Sequence, residues 1–277
     1  MSLSVSAIKE KDYQAFRQLL ESSSGIVLGD NKQYLVASRL GPLMADQRVS
    51  DLGELVERLR RPGGATLRAK VVEAMTTNET QWFRDGFPFR VLRERILPDF
   101  VERGQRSIRI WSAACSSGQE AYSISMTVDE FNQSGRGAID AEILGTDIAP
   151  RMIEMARQGR YRASVARRGL TPERQQRFFR EVGDDTWEVR PEVKRRTRFQ
   201  LHNLLDSYAS LGRFDIIFCR NVLIYFSTDS RRDIIHRMAR AVRPGGWLIV
   251  GASESLSGYA ADFEMKRLDG GVVYRRA

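Results

Sequence analysis

Residues 107–123 read SIRIWSAACSSGQEAYS: a short apolar run, then small residues, then the start of an amphipathic segment. A strand that turns directly into a helix is where α/β proteins hold nucleotides, and glycine is the usual occupant of that turn. Here Ala113, Ala114, Ser116 and Ser117 surround one glycine, Gly118. Their side chains are small enough to let a ligand approach the backbone. A G-x-G-x-x-G pattern is absent, however, so a dinucleotide pyrophosphate has no seat. A nucleoside without phosphates suits the loop better.

The pattern continues outward from that junction. SIRIWS, AEILGTD, RFQLHN, FDIIFCR and GWLIVGAS are short apolar runs of the kind that a parallel sheet buries on both faces, and amphipathic stretches such as STDSRRDIIHRMARAV separate several of them. The expected fold is therefore α/β, a doubly wound Rossmann-like sheet over residues 107–277. The closing FEMKRLDGGVVYRRA sets Asp269-Gly270-Gly271 between two alternating segments, which predicts a hairpin with an antiparallel final strand.

Residues 1–76 read as an all-helical domain. Ile8, Tyr13, Phe16, Leu19 and Leu20 recur with a helical period, as do Leu52, Leu55, Val56 and Leu59 behind the capping pair Asp51 and Glu54. Pro62-Gly63-Gly64 ends that helix, and Leu67, Val71, Val72 and Met75 mark another. DNKQYLVASRL predicts a helix capped by Asp30 that Gly41-Pro42 bends or ends. Residues 77–106 are expected to link the two domains and to contribute to the active site. Between TDIAPRMIEMARQG and RFQLHN lies an insertion at about 160–197, expected to form a helical piece and a small antiparallel excursion on the sheet edge with Asp184-Asp185 at its turn.

Composition narrows the class. With 42% hydrophobic and 29% charged residues, the 277-residue chain reads as a soluble globular protein. No apolar run approaches the roughly 18 residues of a membrane span, and MSLSVSAIKEKDY lacks the regions of a signal peptide, so a cytoplasmic location is expected. Cys115, Cys219, His202 and His236 are too few and scattered for a zinc site; neither metal nor disulfide is expected. The net charge of +9 is uneven, with 14 Arg or Lys against 7 Asp or Glu between Arg151 and Gln200. Acidic partners or a solvated surface both account for such a run.

Ligands of doubly wound sheets lie outside the carboxyl ends of the strands. After the second strand comes Asp147, which reads as an acceptor for both ribose hydroxyls or as the N-cap of APRMIEMAR; the small-residue loop before it favours the ribose. After the fourth strand, CRNVLIYF embeds Arg220, Asn221 and Tyr225 in an apolar run, where polar groups need a partner or a ligand. The fifth strand follows a Pro-Gly-Gly turn. Together these elements follow the pattern of Rossmann-like class I methyltransferases that use S-adenosylmethionine.

AMTTNETQWFRD, WSAACSSGQEAYS, GTDIAP, NLLDSY, FDIIFCRNVLIYF and PGGWLIVGASESL resemble the successive motifs of the chemotaxis receptor glutamate O-methyltransferases, the CheR family. The resemblance covers nearly the whole chain. It implies methylation of glutamate side chains on bacterial chemoreceptors, with S-adenosylmethionine contacts at Asn78, Thr80, Arg84, Glu120, Asp147, Asn203, Leu204, Arg220 and Asn221. Glu120 is then an acid available to the cofactor's ammonium, and Asn203-Leu204 lie on the adenine side. Arg84 and Tyr225 are implied beside the reacting centre; otherwise Arg84 is an interdomain ion pair and Tyr225 a core tyrosine.

The helical domain is expected to dock the cytoplasmic helical domain of a receptor, through Lys32 and Arg39 on nearly one helical face. The inserted strands resemble a subdomain that in some family members captures a receptor C-terminal peptide by strand addition, and Arg190, Lys194, Arg195 and Arg196 suit an acidic peptide. Support of the fold is the other reading of that insertion. Gln119, Ala121 and Gly41-Pro42 depart from the family's pattern, with cofactor affinity the expected place for an effect of the first two. A monomer is expected. An RNA methyltransferase would carry a base-stacking Asn/Asp-Pro-Pro-Tyr/Phe motif where RNVLIYF stands, so no nucleic acid partner is expected. A non-catalytic cofactor-binding adaptor would lose Arg84 or Tyr225, and an NAD-dependent oxidoreductase would need the missing glycines.

Overall fold

The computed structural model describes residues 8–256, 258, 261–268 and 270–277. Four helices come first: α1 (Glu10–Ser24), α2 (Gln33–Asp46), α3 (Leu52–Arg60) and α4 (Ala65–Met75). Their apolar stripes meet in one core built from Tyr13, Phe16, Leu20, Val36, Leu40, Leu55, Leu59 and Val72. Asp51 caps α3 by accepting from Glu54 N, while Glu54 reaches back to Ser50 N.

Helix α2 departs from its sequence expectation at both ends. Its N-cap position is Lys32 without a side-chain cap, because the Asp30 carboxylate is turned to Arg17 Nη1 at 2.7 Å. Pro42 does not end it. The helix runs through to Asp46, since Leu40, Gly41 and Met44 are buried around the proline and packing outweighs one lost backbone hydrogen bond.

The second domain is built on a seven-stranded sheet. Its strands are β1 (Ser107–Ala113), β2 (Asp140–Asp147), β6 (Thr197–Leu201), β7 (Phe214–Cys219), β8 (Val242–Val250), β9 (Phe263–Leu268) and β10 (Gly271–Arg276), in the order β6-β2-β1-β7-β8-β10-β9. The first five in that order are parallel, and β10 runs antiparallel to both its neighbours. The final hairpin is therefore present, although Asp269 at its turn lies outside the described residues. Pro244-Gly245-Gly246 lie where the β7–β8 register shifts, between the pairs Phe214–Val242 and Ile216–Trp247.

Alternate residues on each strand serve two cores. Ile108, Ile110, Ile143, Ile216 and Phe218 face helix α7 (Gln119–Asn132), whereas Trp111, Leu144, Ile217 and Leu248 pack with Ile234, Ile235 and Met238 of α12 (Thr228–Ala241). Burial on both faces explains why the strands read as unbroken apolar runs.

Residues 87–102 are more than a link. They form α5 (Phe87–Val91), a π-helical turn (Leu92–Ile96) and α6 (Leu97–Glu102), and Phe89, Leu92, Ile96 and Phe100 sink into the α7 side of the sheet core. Their spacing of three to four residues was the available signal.

The insertion holds three antiparallel strands, β3 (Arg160–Arg162), β4 (Phe179–Gly183) and β5 (Thr186–Val189), in the order β3-β5-β4, with Asp184-Asp185 at the β4–β5 turn. After TWEV the strand stops, because Pro191 opens a short helix, α11 (Pro191–Lys194). Nor does the insertion hang free on an edge. Arg174 pairs with Glu130, and Arg177 and Arg196 with Asp129, all on α7, while Arg180 and Lys194 pair with Glu188 inside the insertion. Much of the basic surplus is thus consumed internally, and Lys194 and Arg196 are not open cations; Arg190 lies at the start of α11 and Arg195 is exposed.

Candidate cofactor and catalytic site

The register aligns the carboxyl ends of the central strands: Ala113 pairs with Thr146 and with Cys219, and Cys219 with Val250. The loops after β1, β2, β6 and β7 therefore open on one edge, around the point where the strand order reverses. A cavity of about 1000 Å³, counting its open mouth, lies there.

The loop after β1 needs left-handed backbone at three positions. Ala114 (φ 60°), Ser116 (φ 49°) and Gly118 (φ 96°) supply it, so two non-glycine residues are held where L-residues rarely sit. Glycine is required at 118 for packing and not for a ligand: a Cβ would lie 2.9 Å from that of Ala156 on α8 (Pro150–Gln158). Ala114, Cys115 and Ser116 line the cavity; Ser117 and Gly118 do not. Burial pushes the Cys115 and Cys219 thiols well up from their ordinary value, so both are inert apolar side chains. Gln119 and Ala121 are buried and also point elsewhere, which removes the direct route from these two departures to cofactor affinity.

Asp147 holds this corner together. Its Oδ2 accepts from Ser116 N at 2.8 Å and its Oδ1 from Ala149 N at 2.9 Å, leaving lone pairs on both oxygens toward a further donor. The N-cap position of α8 is Ala149, so Asp147 stands one turn before the helix and is not its cap. Burial pushes the carboxyl above its usual range against those backbone donors. Beside it, His202 and Leu204 line the cavity, and His202 Nε2 is buried without a partner. A carboxylate with spare lone pairs, an orphaned imidazole nitrogen and a wall of small residues fit a nucleoside. Asn203 also lines the cavity, but its amide is used across the domain boundary, donating to Ser23 O at 2.8 Å.

At the other end stands Arg220, with a side chain 2% exposed. Its Nη1 donates to Glu120 at 2.9 Å, and its Nη2 to Asp85 at 2.6 Å and to Arg84 O at 2.8 Å. Glu120 also accepts from Ser112 Oγ. The guanidinium thus pins residues 84–85 to the end of β7. Residues 75–81, including Asn78 and Thr80, form another wall; Asn78 O accepts from Ser116 Oγ at 2.9 Å.

Arg84 and Tyr225 both face the cavity. Arg84 spends one bond on Glu79 O, and the Tyr225 hydroxyl has no protein partner among the described residues. Neither an interdomain ion pair nor a satisfied core tyrosine is what these residues form.

The two docking candidates separate. Lys32 is exposed beside the Tyr34 ring. Arg39 instead donates to the carbonyls of Met75 and Thr76 and to Thr77 Oγ1, bracing the wall of the cavity, so the pair does not form one free face. Two residues escaped the sequence reading: Glu254 gathers the backbone after β7, and Trp82 is fully buried with its Nε1 donating to Val165 O of the insertion. Ser116, read in the sequence only as a small residue, ties the loop after β1 to residue 78. TQWFRD and GASESL were visible as motifs, but nothing in them distinguishes a structural anchor from a ligand contact.

A doubly wound sheet with a pyrophosphate-free nucleoside cavity at its switch point is the architecture of the S-adenosylmethionine-binding methyltransferases. Residues 78–272 match the family model described as CheR methyltransferase, SAM binding domain, and residues 11–76 match CheR methyltransferase, all-alpha domain. The chain belongs to the CheR methyltransferase family. It is 50% identical over 267 residues to Chemotaxis protein methyltransferase 1 of Pseudomonas aeruginosa, covering 95% of this chain and 97% of that one. It is 49% identical over 268 residues to Chemotaxis protein methyltransferase Cher2 of Pseudomonas putida, with the same coverage. Chemotaxis protein methyltransferase 1 of Vibrio cholerae is 48% identical over 97% of this chain and 98% of its own length.

Proposed function

We propose that the chain methylates glutamate side chains in the helical cytoplasmic region of bacterial chemoreceptors, forming methyl esters, and that it does so in the cytoplasm. The observation that carries this reading is one cavity lined both by Asp147 and His202, which can hold a nucleoside, and by Arg84 and Tyr225, which keep unspent donors.

When bound, S-adenosylmethionine supplies an electrophilic methyl on a cationic sulfur, which a carboxylate oxygen attacks to leave neutral S-adenosylhomocysteine and the ester. A glutamate with an ordinary pKa of about 4.3 is already ionised at neutral pH, so the site needs no strong base. The work left to the chain is orientation and exclusion of water. Asp147 receives the ribose hydroxyls, Leu204 with His202 borders the adenine, and Glu120 accepts from the cofactor's ammonium while Arg220 keeps that carboxylate in place. Asn78, Thr80, Asn203 and Asn221 complete the enclosure. Tyr225 donates a hydrogen bond that orients the substrate carboxylate, and Arg84 holds it by charge.

Lys32 offers an exposed cation to an acidic receptor helix. The outer edge of β4 is open to strand addition by a receptor C-terminal peptide. No helix among the described residues is long and apolar enough to cross a membrane. The chain acts as a monomer.

The test is incubation with methyl-labelled S-adenosylmethionine and receptor cytoplasmic domains, scoring base-labile label. Label in receptor that alkali releases supports the reading, and its absence from every receptor tested, or label in RNA, removes it. Tyr225→Phe is expected to lower turnover by about tenfold or more; full turnover would end the role given to that hydroxyl.

A further inference from the structure

The segment carrying Asn221 and Tyr225 has little regular structure of its own. β7 stops at Cys219, Asn221 takes left-handed backbone (φ 56°), and a single 3-10 turn covers Leu223–Tyr225. One side chain gathers its amides. Glu254, just beyond β8, accepts from Asn221 N at 2.6 Å and Gly251 N at 2.8 Å through Oε2. Its Oε1 accepts from Val222 N at 3.0 Å, Leu223 N at 2.8 Å and Ile224 N at 3.3 Å. Five amides converge on one carboxylate, and hydrogen bonds to an ionised acceptor are the stronger kind. Gly251 makes room for this: a Cβ there would lie 2.6 Å from Glu254 Oε2 and 2.9 Å from Asn221 Nδ2. From the opposite side Val27 N of the helical domain donates to Tyr225 O at 2.8 Å.

We propose that Glu254 is a positioning residue for methyl transfer. It does not line the cavity; it fixes the loop that presents Asn221 to the cofactor and Tyr225 to the substrate carboxylate. The inference rests on the roles given above to those two residues. An isosteric amide cannot replace the carboxylate, because its NH2 group would face amide N–H donors on whichever side it took.

Glu254→Gln in the full chain tests this. Faster hydrogen exchange confined to the amides of 221–224 is expected, together with weaker binding of S-adenosylhomocysteine and a kcat lower by roughly 10- to 100-fold. In a Tyr225→Phe background the same change should cost much less in kcat, the signature of one residue acting through the other. If Tyr225→Phe alone is fully active, the tyrosine's role falls, while Glu254 is still judged by exchange and by affinity at the Asn221 side. Unchanged exchange and affinity, or a loss of protection spread over the whole domain, would overturn the proposal. Should the variant not fold, the unmodified enzyme decides: amides 221–224 must exchange slowly, and fast exchange there refutes the positioning role.

Discussion

Arg220 illustrates how a polar residue in an apolar run resolves. Sequence offered a partner or a ligand, and the structure gives it three protein acceptors, Glu120, Asp85 and Arg84 O. Removing one member of a buried charged cluster leaves the other uncompensated, so Arg220→Met is expected to destabilise the fold by about 3 kcal/mol. Urea denaturation measures that loss. Arg220→Lys should fall between, since a lysine keeps the charge without the planar fork that reaches separate acceptors. Asp147, legible as an acid at a strand end, shows the other outcome: two backbone donors hold it and both its oxygens keep a lone pair, while Arg220 has both terminal nitrogens on protein acceptors and only its buried Nε unpartnered.

At the scale of elements, the strands and the helical domain were legible because their periodicities are strong and their apolar faces broad. The insertion was legible as an antiparallel piece, but its purpose was not. Trp82, next to the cavity wall of residues 75–81, is sealed into it, packing edge-on against Tyr161 and Phe179, and its backbone N donates to Arg168 O. The exposed pair Arg168–Glu79 crosses the same junction and, being solvated, adds little. Close backbone contact matters more. Gly169 has φ 97°, and a Cβ there would stand 2.1 Å from Trp82 O. Gly169→Ala is therefore expected to cost about 2 kcal/mol or more and to shift tryptophan emission to the red, whereas Arg168→Ala should leave both nearly unchanged. Equal effects of the two substitutions would contradict this ranking. Long-range contacts of this kind leave no trace in local pattern, which is why the sequence left peptide capture and support of the fold both open for the insertion.

At the scale of the whole molecule, the helical domain and the sheet share one cavity. Ser24 and Ile26 line it from the first domain, Asn203 bonds Ser23 O, and Val27 bonds Tyr225 O. Arg39 closes the same boundary by bracing residues 75–77. The sequence expectation placed Lys32 and Arg39 together as receptor-docking cations. The structure separates them: Arg39→Ala should weaken both S-adenosylhomocysteine binding and receptor methylation, while Lys32→Ala should reduce receptor methylation alone. Calorimetric titration beside the methylation assay distinguishes the two, and an Arg39→Ala protein with unaltered cofactor affinity would refute the bracing role.

WSAACSSGQEAYS, with its small residues and missing glycine fingerprint, by itself favoured a nucleoside over a dinucleotide at a strand end. Periodicity determined the two domains, and the motifs determined the family. These are local properties, written in consecutive residues and in the burial of regular faces. Only the tertiary structure decided which polar residues are spent on the protein and which keep unpaired groups facing the cavity. Arg39 and Asn203 are bonded to partners 36 to 180 positions away, whereas Tyr225 keeps its hydroxyl free of protein partners among the described residues and Arg84 spends one bond on Glu79 O. The physical reason is that a polar group's availability depends on what the fold brings beside it, and sequence spacing does not encode that neighbour.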